Sequence, residues 1–476
     1  MENPQAPSRL RTWAKRELEK RNLLDTYRKV RSFGTTQLLN HGFAKMYKEI
    51  DALPETGEQN AILLTGIITT PKKPTLYTFL TRLKEAAPDL RIVTMDEGRF
   101  KAPKELPVER LHFPYALNKG EYFANRWMEA TEHDNALAKR YPIIEGLTDR
   151  LCERQLDIGR SGVRRLVCAY AEAYERTIER VQPKAVIMWC EFTRMHPLLT
   201  AIAQAHGVKP LYWEYGSIPG TFAIEDQGQM GESRIATEWE SFLAKEVTEE
   251  EKARAGEVLE FLRGSGLNRN VQTDMNALDE LEGEIDPKKP LIIFAGQNDY
   301  DSGLLPWDDH AKEFHSPCFP DSMSASHAIW EICKQEGWEF AYKPHPFMIR
   351  RTPWHELPVI RKCNFNAMMD RADVVVTGVS QSGYVACIRN RACVTVGFNQ
   401  LKHKGCTYEV TDKAQLRDVL KEAVAKGRTP QQQEAFRTHV AQLLKYALYD
   451  DLGNRNIRYG RSVEEAAAWL LKEMGV

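Results

Sequence analysis

The sequence lacks any apolar stretch approaching the roughly 20 residues that a helix needs to cross a bilayer. Its opening segment, MENPQAPSRLRTWAKRELEK, also lacks the apolar core of a secretory signal. A membrane-spanning or secreted protein is therefore not expected. The nine cysteines contain no C-x-x-C pair, and their odd number does not suit a complete set of disulfides. This pattern indicates reduced, buried thiols in a cytoplasmic protein.

An overall excess of positive charge is missing too. The chain has 65 basic and 66 acidic residues, so nucleic acid is not an expected partner. The segment from Ser8 to Gly34 is locally basic and has helical character. One interpretation is peripheral contact with the cytoplasmic face of an inner membrane through this helix. The other interpretation is an ordinary solvated helix that packs on the N-terminal domain.

At 476 residues the chain is too long for one hydrophobic core. Short apolar runs alternate with helical segments in both halves, which is typical of βαβ units and parallel sheets. The sequence therefore predicts an α/β protein with two Rossmann-like domains that face a cleft. The predicted divisions are a basic helical segment (1–50), an N-terminal Rossmann-like domain (51–235), a helical linker (236–289), a C-terminal Rossmann-like domain (290–445) and C-terminal helices (446–476).

Two motifs in the C-terminal half directly follow predicted strands. In the first, Lys343 and His345 alternate with Pro344 and Pro346, which hold the turn rigid. A histidine there can donate to a phosphate, and a lysine can supply a point charge. The second motif contains Ser380, Gln381 and Ser382 at the start of a predicted helix, where hydroxyls and backbone N–H groups can receive an anion. Each motif alone also fits a structural turn or cap, but together they predict one phosphate site.

Two further loops carry hydrogen-bonding and acidic groups. Gln297, Asp301 and Ser302 lie in a segment that suits contact with a base, ribose or sugar, or simply a capped turn. The second loop begins with Glu214 and Gly216 at the end of a strand in the N-terminal half, and Asp226 and Glu232 follow. A carboxylate in this loop could act as base or nucleophile at an anomeric carbon.

These residues resemble the capsule polysaccharide biosynthesis glycosyltransferases of the Kdo-transferase type. The resemblance covers the region from about 290 to 400, together with the loop at 214–233. Gln297, Asp301 and Ser302 match one motif of the family, and His345 with Pro346 matches its H-P motif. The matches in the serine turn and the strand that follows it are Ser380, Ser382, Val394 and Gly397.

The resemblance implies a GT-B fold, no required metal or other cofactor, and a CMP-activated acidic sugar as donor. The acceptor would be a surface polysaccharide or a lipid-linked glycan. Asp299, Tyr300 and Asp301 spell D-x-D, but their place in the C-terminal half argues against a metal role. The serine and H-P motifs, with Lys343, would hold the donor phosphate.

The sequence departs from the family at two positions. Tyr215 stands where the family has a catalytic Asp, and Val385 stands where it has a Glu. Glu214 is therefore the predicted catalytic carboxylate, with His345 assisting the leaving phosphate. Two alternatives remain open: a CDP-polyol phosphotransferase of the same shape, and a nucleotide-binding subunit of a polysaccharide assembly complex that has no activity of its own.

Overall fold

The structure is a computed structural model, and it describes most of the chain from residue 41 onward. The described residues are 41–55, 60–65, 75–96, 108–112, 131–154, 159–193, 195–269, 281, 284–349, 352 and 356–476, with four isolated positions at 17, 21, 23 and 26. The predicted basic segment at 8–34 lies outside them except for those four positions. Among the described helices, none combines the length and apolar character needed to cross a membrane.

Two compact units make up the chain. The first comprises 1–56, 95–98 and 110–182, and the second comprises 57–94, 99–109 and 183–476. In the first unit, positions 41–51 are helical, and three helices follow: α1 (Glu132–Arg140), α2 (Ile143–Arg154) and α3 (Arg160–Val181). Phe43 packs edge-on against Tyr170 of α3, and the Arg180 Nε donates to the Leu53 carbonyl. These contacts join the two ends of this unit.

The larger N-terminal sheet has seven strands in the order β12-β6-β5-β4-β1-β2-β3. Its strands are β1 (Ala61–Thr65), β2 (Arg91–Asp96), β3 (Glu109–His112), β4 (Ala185–Trp189), β5 (Lys209–Tyr215), β6 (Thr221–Glu225) and β12 (Tyr449–Asp450). β4 runs parallel to both β1 and β5, whereas β6 pairs antiparallel with β5 and with β12. The strands β1 and β4 are buried almost throughout, which is why both consist of continuous apolar residues.

Helices cover this sheet on both of its faces. The helices of the N-terminal half in the second unit are α4 (Thr75–Ala86) and α5 (His196–Ala205). A C-terminal helix, Val463–Met474, packs on α4, and its Leu470 shares a buried cluster with Phe79 and Trp213. The last residues of the chain therefore belong to the core of the N-terminal sheet.

The second sheet has five strands in the order β11-β10-β9-β7-β8. They are β7 (Leu291–Ala295), β8 (Glu339–Lys343), β9 (Val374–Thr377), β10 (Ala392–Thr395) and β11 (Tyr408–Glu409), and all of the pairings are parallel. The parallel register places the carboxyl ends of these strands at one edge, where ligands bind in folds of this kind.

The remaining helices link and cover this second sheet. They are α6 (Arg234–Thr237), α7 (Trp239–Leu243), α8 (Glu249–Ser265), α9 (Asp309–Phe314), α10 (Ser322–Glu336), α11 (Phe365–Arg371), α12 (Ser382–Ile388), α13 (Leu416–Lys426) and α14 (Pro430–Tyr446). The C-terminal helix on the first sheet, Val463–Met474, is α15. Short 3-10 turns occur at Met230–Glu232 and Lys413–Gln415. α8, in the predicted linker, packs against α14 and shares a core with Ile293 and Val375. This linker helix is therefore part of the C-terminal core.

The prediction of an α/β fold with two Rossmann-like domains, the GT-B type, is confirmed by these two sheets. Four strands were not expected from the sequence, and the first of them is β3 (Glu109–His112) at one edge of the first sheet. β6 lies within the segment that was interpreted as a continuous loop from Glu214 to Ser233, and the correction is that a strand interrupts it. β11 and β12 have two residues each, and β12 lies in the segment where only helices were predicted.

Candidate functional site

Glu214 lies on β5 opposite Ala223 of β6, close to the carboxyl end of the strand. Alternation along β5 turns Leu211 and Trp213 into the buried cluster beneath α4, so Glu214 faces the other side of the sheet. Burial raises the pKa of the Glu214 carboxyl, and the positive charge of Arg269 opposes the rise. A carboxyl group with this environment can exchange a proton closer to neutral pH than an ordinary glutamate.

Arg269 and Gly216 hold the backbone beside this carboxyl. The Nη2 of Arg269 donates to the carbonyls of Tyr215 (3.0 Å) and Gly216 (2.7 Å). A Cβ at Gly216 would overlap the Oγ1 of Thr221, and the Gly216 N–H donates to the Thr221 carbonyl over 2.9 Å. The predicted site residue Gly216 thus has a structural role: it forms the turn between β5 and β6, where only glycine fits.

Cys190 connects Glu214 to the C-terminal domain. It directly follows β4, and its Sγ lies 3.8 Å from the Asp301 carbonyl. The pKa of the Cys190 thiol is raised by burial and also by the charges of Glu214 and Asp301. The thiol is therefore close enough to Glu214 on one domain and to Asp301 on the other for both charges to affect it. This contact brings the carboxyl ends of the two sheets together.

His345 lies in the turn after β8 and is half-buried. Burial lowers its pKa to about 4, while the Asp301 charge opposes the decrease and Lys343 adds to it. The ring is therefore neutral at pH 7. Its Nδ1 accepts a hydrogen bond from the Phe347 N–H at 3.3 Å, which assigns the ring proton to Nε2. His345 can then donate one hydrogen bond to an anion without bringing a charge.

The other residues of this turn have different positions. The Lys343 Nζ donates to the carbonyls of Pro344 and Arg361, each over 3.2 Å. Pro346 is exposed beside the exposed Phe347. Lys343 therefore contributes to the turn itself as well as to the local positive charge.

The loop after β7 contains a buried polar network. Asp299 is fully buried and accepts hydrogen bonds from the Gln297 Nε2 and from the Ser322 hydroxyl and N–H. Burial raises the pKa of Asp299 to about 6, and the bonds from Ser322 oppose the rise. Ser302 is buried and donates to the Asp299 carbonyl at 3.2 Å, so its hydroxyl serves the turn. The Asp301 Oδ2 accepts from the Asn298 Nδ2 at 2.6 Å.

Three buried amide oxygens at this edge have no hydrogen-bond partner among the described residues. They are Gln297 Oε1, Asn298 Oδ1 and Gln381 Oε1. Gln297 and Asn298 follow β7, and Gln381 follows the neighbouring β9. Buried acceptors without a donor are costly, at about 1–3 kcal/mol each. A ligand with several hydroxyl or amino donors, such as a nucleoside, would satisfy them.

The serine turn precedes α12, a helix of only seven residues. The hydroxyls of Ser380 and Ser382 lie 2.8 Å apart, and the Ser382 N–H donates to the Ser380 Oγ at 3.1 Å. One hydroxyl proton is used in the bond between the two serines, which leaves the other proton available to a ligand. Because so short a helix has a weak dipole, the hydroxyls supply most of the attraction for an anion at this turn.

The strand order separates the two predicted phosphate-binding motifs. β7 lies between β8, which leads to His345, and β9, which leads to the serine turn. Two strand spacings amount to about 10 Å, which is too far for one phosphate to contact both turns directly. The Gln297 side chain lies between the two turns. It extends toward the turn after β9, because a Cβ at Gly378 in that turn would lie 2.9 Å from the Gln297 Oε1. The three loops thus form a continuous row of donors and acceptors.

Two acidic residues face each other on the loops of the N-terminal sheet. The Glu191 Oε2 accepts from the Gln229 N–H at 3.0 Å, and the Gln229 Oε1 accepts from the Glu191 N–H at 2.6 Å. Burial and the nearby Glu232 charge raise the pKa of Glu191 well above its usual range. Gly228 allows the two acids to approach, because its Cβ would lie 2.7 Å from the Glu232 Cβ.

Glu232 is also bonded to two histidines. The Nε2 atoms of His310 and His315 each lie 2.8 Å from its Oε1. Burial acts to raise the pKa of Glu232, but the two histidines outweigh it and hold the pKa below the usual range. Asp226, the other predicted acid of this segment, forms ion pairs with Arg234 (3.0 Å) and Lys209 (3.6 Å). These pairs leave Asp226 less suited to act as a base than Glu214.

Comparisons with known proteins give remote structural likenesses. No protein-family model matches the chain, and neither does any curated protein. A KpsC β-Kdo 2,7-transferase from Thermosulfurimonas dismutans matches over 87% of this chain and 99% of its own, with 15% identity and a TM-score of 0.40. A KpsC β-Kdo 2,4-transferase from the same organism matches over 54% of this chain and 79% of its own, with 16% identity and a TM-score of 0.38.

A UDP-GlcNAc 2-epimerase from Methanocaldococcus jannaschii also matches, over 87% of this chain and 99% of its own. Its identity is 12% and its TM-score is 0.28. The matching structures thus include the transferase class that the sequence motifs resemble, and an enzyme with another activity. Such low scores establish neither a fold nor an activity, so the fold rests on the strand order and register given above.

Several residues of this region were not predicted from the sequence. Glu191 had a usable signal, because an acidic residue directly follows the predicted strand ending at Cys190. Arg269 had none, since it lies in the charged linker. His310 and His315 are separated from Glu232 by 78 and 83 positions, and their H-x4-H spacing, although typical of zinc ligands, is not accompanied by a C-x-x-C pair in the sequence. The fold alone brings these three side chains together.

Proposed function

We propose that the protein is a glycosyltransferase that moves a sugar from a nucleotide-activated donor to a glycan acceptor. The observation that carries the proposal is Glu214, a partly buried carboxyl with a raised pKa and no hydrogen-bond partner among the described residues. Through Cys190 and Asp301 it is connected to the loops that carry His345 and the unpaired amides. Transfer at an anomeric carbon needs a carboxyl group of this kind beside a site for the leaving phosphate.

In the proposed reaction, the acceptor hydroxyl oxygen forms a bond to the anomeric carbon, and the bond from that carbon to the phosphate oxygen breaks. The phosphate keeps the electron pair. The Nε2–H of His345 donates to a phosphate oxygen, while the serine turn, two strand spacings away, contacts another part of the donor. Glu214 takes the proton of the acceptor, or first attacks the anomeric carbon itself. Arg269 favours the charged form that either role requires.

The amides would hold the nucleoside. Gln297, Asn298 and Gln381 present acceptors that match ribose hydroxyls or the amino group of a cytosine. We propose a CMP-linked acidic sugar as the donor and a surface polysaccharide or lipid-linked glycan as the acceptor, following the family resemblance. A cytoplasmic location fits the nine cysteines, none of which forms a disulfide. Contact of the basic N-terminal segment with an inner membrane remains part of the proposal.

The first test is a thermal-shift panel of CMP, CDP, UDP, GDP and ADP in the presence of EDTA. A millimolar nucleotide with micromolar affinity adds about 4 kcal/mol to stability, so a specific shift with CMP is expected. His345→Ala should remove most of this shift while the unliganded protein melts normally. The control is His327→Ala, which removes an exposed histidine that pairs with Glu356. A shift with CDP instead would favour the phosphotransferase, and no shift with any nucleotide would overturn the proposal.

A second arm separates binding from chemistry. Glu214→Gln keeps the size of the side chain and removes its charge, so the nucleotide shift should persist while turnover decreases by about 10²–10⁴-fold. Glu225→Gln makes the same change in a neighbouring buried acid on β6 and should leave turnover intact. Equal activity of the Glu214→Gln variant and the wild type would remove Glu214 from the mechanism. Binding without turnover in the wild type would support the inactive-subunit alternative.

A further inference from the structure

The three side chains around the Oε1 of Glu232 form a compact donor set. His310 Nε2 and His315 Nε2 lie 2.8 Å from this oxygen, and the ligand atoms of the three residues lie within 4.8 Å of one another. The residues come from different parts of the fold. Glu232 closes the 3-10 turn after β6, whereas His310 lies on α9 and His315 directly follows it. The set therefore bridges the loops of the two sheets.

The surroundings fix two of the three side chains. The His315 ring is fully buried and packs edge-on against Phe192, with ring centroids 5.1 Å apart. Its backbone carbonyl accepts from the Phe398 N–H at 2.6 Å. The Nδ1 of His315 has no partner among the described residues, so the packing and the bond from Nε2 to Glu232 orient the ring. Glu232 is also largely buried, with its side chain 14% exposed.

The cluster of Glu232, His310 and His315 is accessible to solvent on the side of His310. Its side chain is 57% exposed, so solvent reaches the group from the direction of α9. The opposite side holds Glu191, whose carboxyl lies near Glu232 across Gly228. Two acidic side chains and two imidazole rings together offer oxygen and nitrogen ligands to a cation. A cation there would also offset the negative charge of Glu232 that helps to raise the pKa of Glu191.

We propose that Glu232, His310 and His315 bind a divalent transition-metal ion of the Zn²⁺ class. Two imidazoles and one carboxylate suit such ions, whereas Mg²⁺ and Ca²⁺ prefer oxygen ligands. With metal–ligand distances of about 2.0–2.2 Å, tetrahedral ligands lie about 3.3 Å apart, so each histidine Nε2 needs to move away from the Glu232 Oε1 by only about half an ångström. The fourth position opens to solvent beside His310. This site is separate from the nucleotide loops and does not depend on the proposed transfer.

The test is titration of the EDTA-treated, dialysed full chain with Co²⁺, followed by its visible absorption, with Zn²⁺ as competitor. We expect one Co²⁺ per chain in a four-coordinate spectrum, and its displacement by one Zn²⁺. His310→Ala should weaken binding by at least about tenfold, since loss of an outer-shell partner alone costs about 10–100-fold. Glu232→Gln should weaken binding similarly. Both variants replace side chains at the edge of the core, and their folding is checked by melting and circular dichroism.

His327→Ala is the matched control, because His327 is exposed and lies 3.7 Å from Glu356 but has no third ligand in the described part of the chain. Its Co²⁺ affinity should equal that of the wild type. Absence of stoichiometric binding would overturn the proposal, and so would binding that His310→Ala and Glu232→Gln leave unchanged. The nucleotide panel contains EDTA, so its outcome is independent of the metal. Failure of one proposal can thus be distinguished from failure of the other.

Discussion

Glu225 occupies the end of β6, and burial raises its pKa to about 8, with the Arg234 N–H opposing the rise. A carboxyl whose folded-state pKa is raised above the ordinary value of 4.5 stabilises the fold fully below that value. The contribution is then lost as the pH rises through about 8. Glu225→Gln stays neutral throughout. We therefore expect the variant to be more stable than the wild type at pH 8, by about 1–2 kcal/mol, and equal to it near pH 5.

Melting temperatures of both proteins between pH 5 and pH 9 check this expectation. Glu240→Gln makes the same chemical change at an exposed position on α7, so its melting temperature should follow the wild type at every pH. A Glu225→Gln variant that is no more stable than the wild type at pH 8 would show that the Glu225 carboxyl is solvated.

At the residue scale, the sequence predicted where polar groups follow strands, but not which of them meet. Gln297, His345 and Ser380 were predicted as site residues because carboxyl ends of parallel strands share one edge, and the structure places them in one row. Their prediction as ligands remains a prediction. The sequence could not show that β7 separates His345 from Ser380, because strand order depends on the crossover connections. Nor could it reveal the group around Glu232, which forms only when two distant loops pack together.

Gly231 allows two elements to approach more closely than any other residue would permit. A Cβ at this position would overlap the carbonyl oxygen of Phe314 at the end of α9 and lie 3.1 Å from the Phe398 carbonyl oxygen. Both contacts are with backbone, which cannot rotate away as a side chain can. Gly231→Ala should therefore separate the 3-10 turn from α9 and destabilise the protein by about 1–3 kcal/mol. The melting temperature and the Co²⁺ affinity should decrease together.

Gly264→Ala is the matched control for this substitution. Gly264 lies in α8 with nothing within 4 Å of its added Cβ, so alanine should stabilise that helix by about 0.5–1 kcal/mol. If both variants melt at the wild-type temperature or above it, the close packing at Gly231 is not required. Loss of stability at Gly231 alone would identify this turn as a rigid connection between the two sets of loops.

At the scale of elements, the long and strongly patterned segments were predictable and the short ones were not. β7 and β9 are buried along their whole length, so each one is a nearly continuous apolar run, and β8 has a buried apolar centre between Glu339 and Lys343. β6 follows a glycine-rich turn, and Glu214, Tyr215 and Gly216 beside it gave the appearance of one long loop. β12 has only two residues, and its pairing with β6 is decided by the return of the chain to the first sheet. A pattern of two residues cannot carry that information.

This return of the chain connects its C-terminal end to the first sheet. Leu470 of α15 is fully buried in the cluster that includes Phe79 and Trp213, so it stabilises strands more than 200 positions away in sequence. Leu470→Ala should destabilise the protein by about 2–5 kcal/mol. Hydrogen exchange should then become faster in α4, β1 and β5, while β7 and β9 of the second sheet stay protected.

For Leu420→Ala we expect the opposite pattern, with faster hydrogen exchange in the second sheet and protection kept in the first. Leu420 of α13 is also fully buried, but it packs in the cluster with Ile292 and Val376 of the second sheet. The two substitutions remove the same atoms from equally buried positions, so any difference in exchange reports which sheet each helix supports. If the last helix belongs to the first sheet, the two patterns of faster exchange will differ. If Leu470→Ala accelerates exchange equally in both sheets, the two sheets unfold as one unit, and the chain behaves as a single cooperative body despite its two cores.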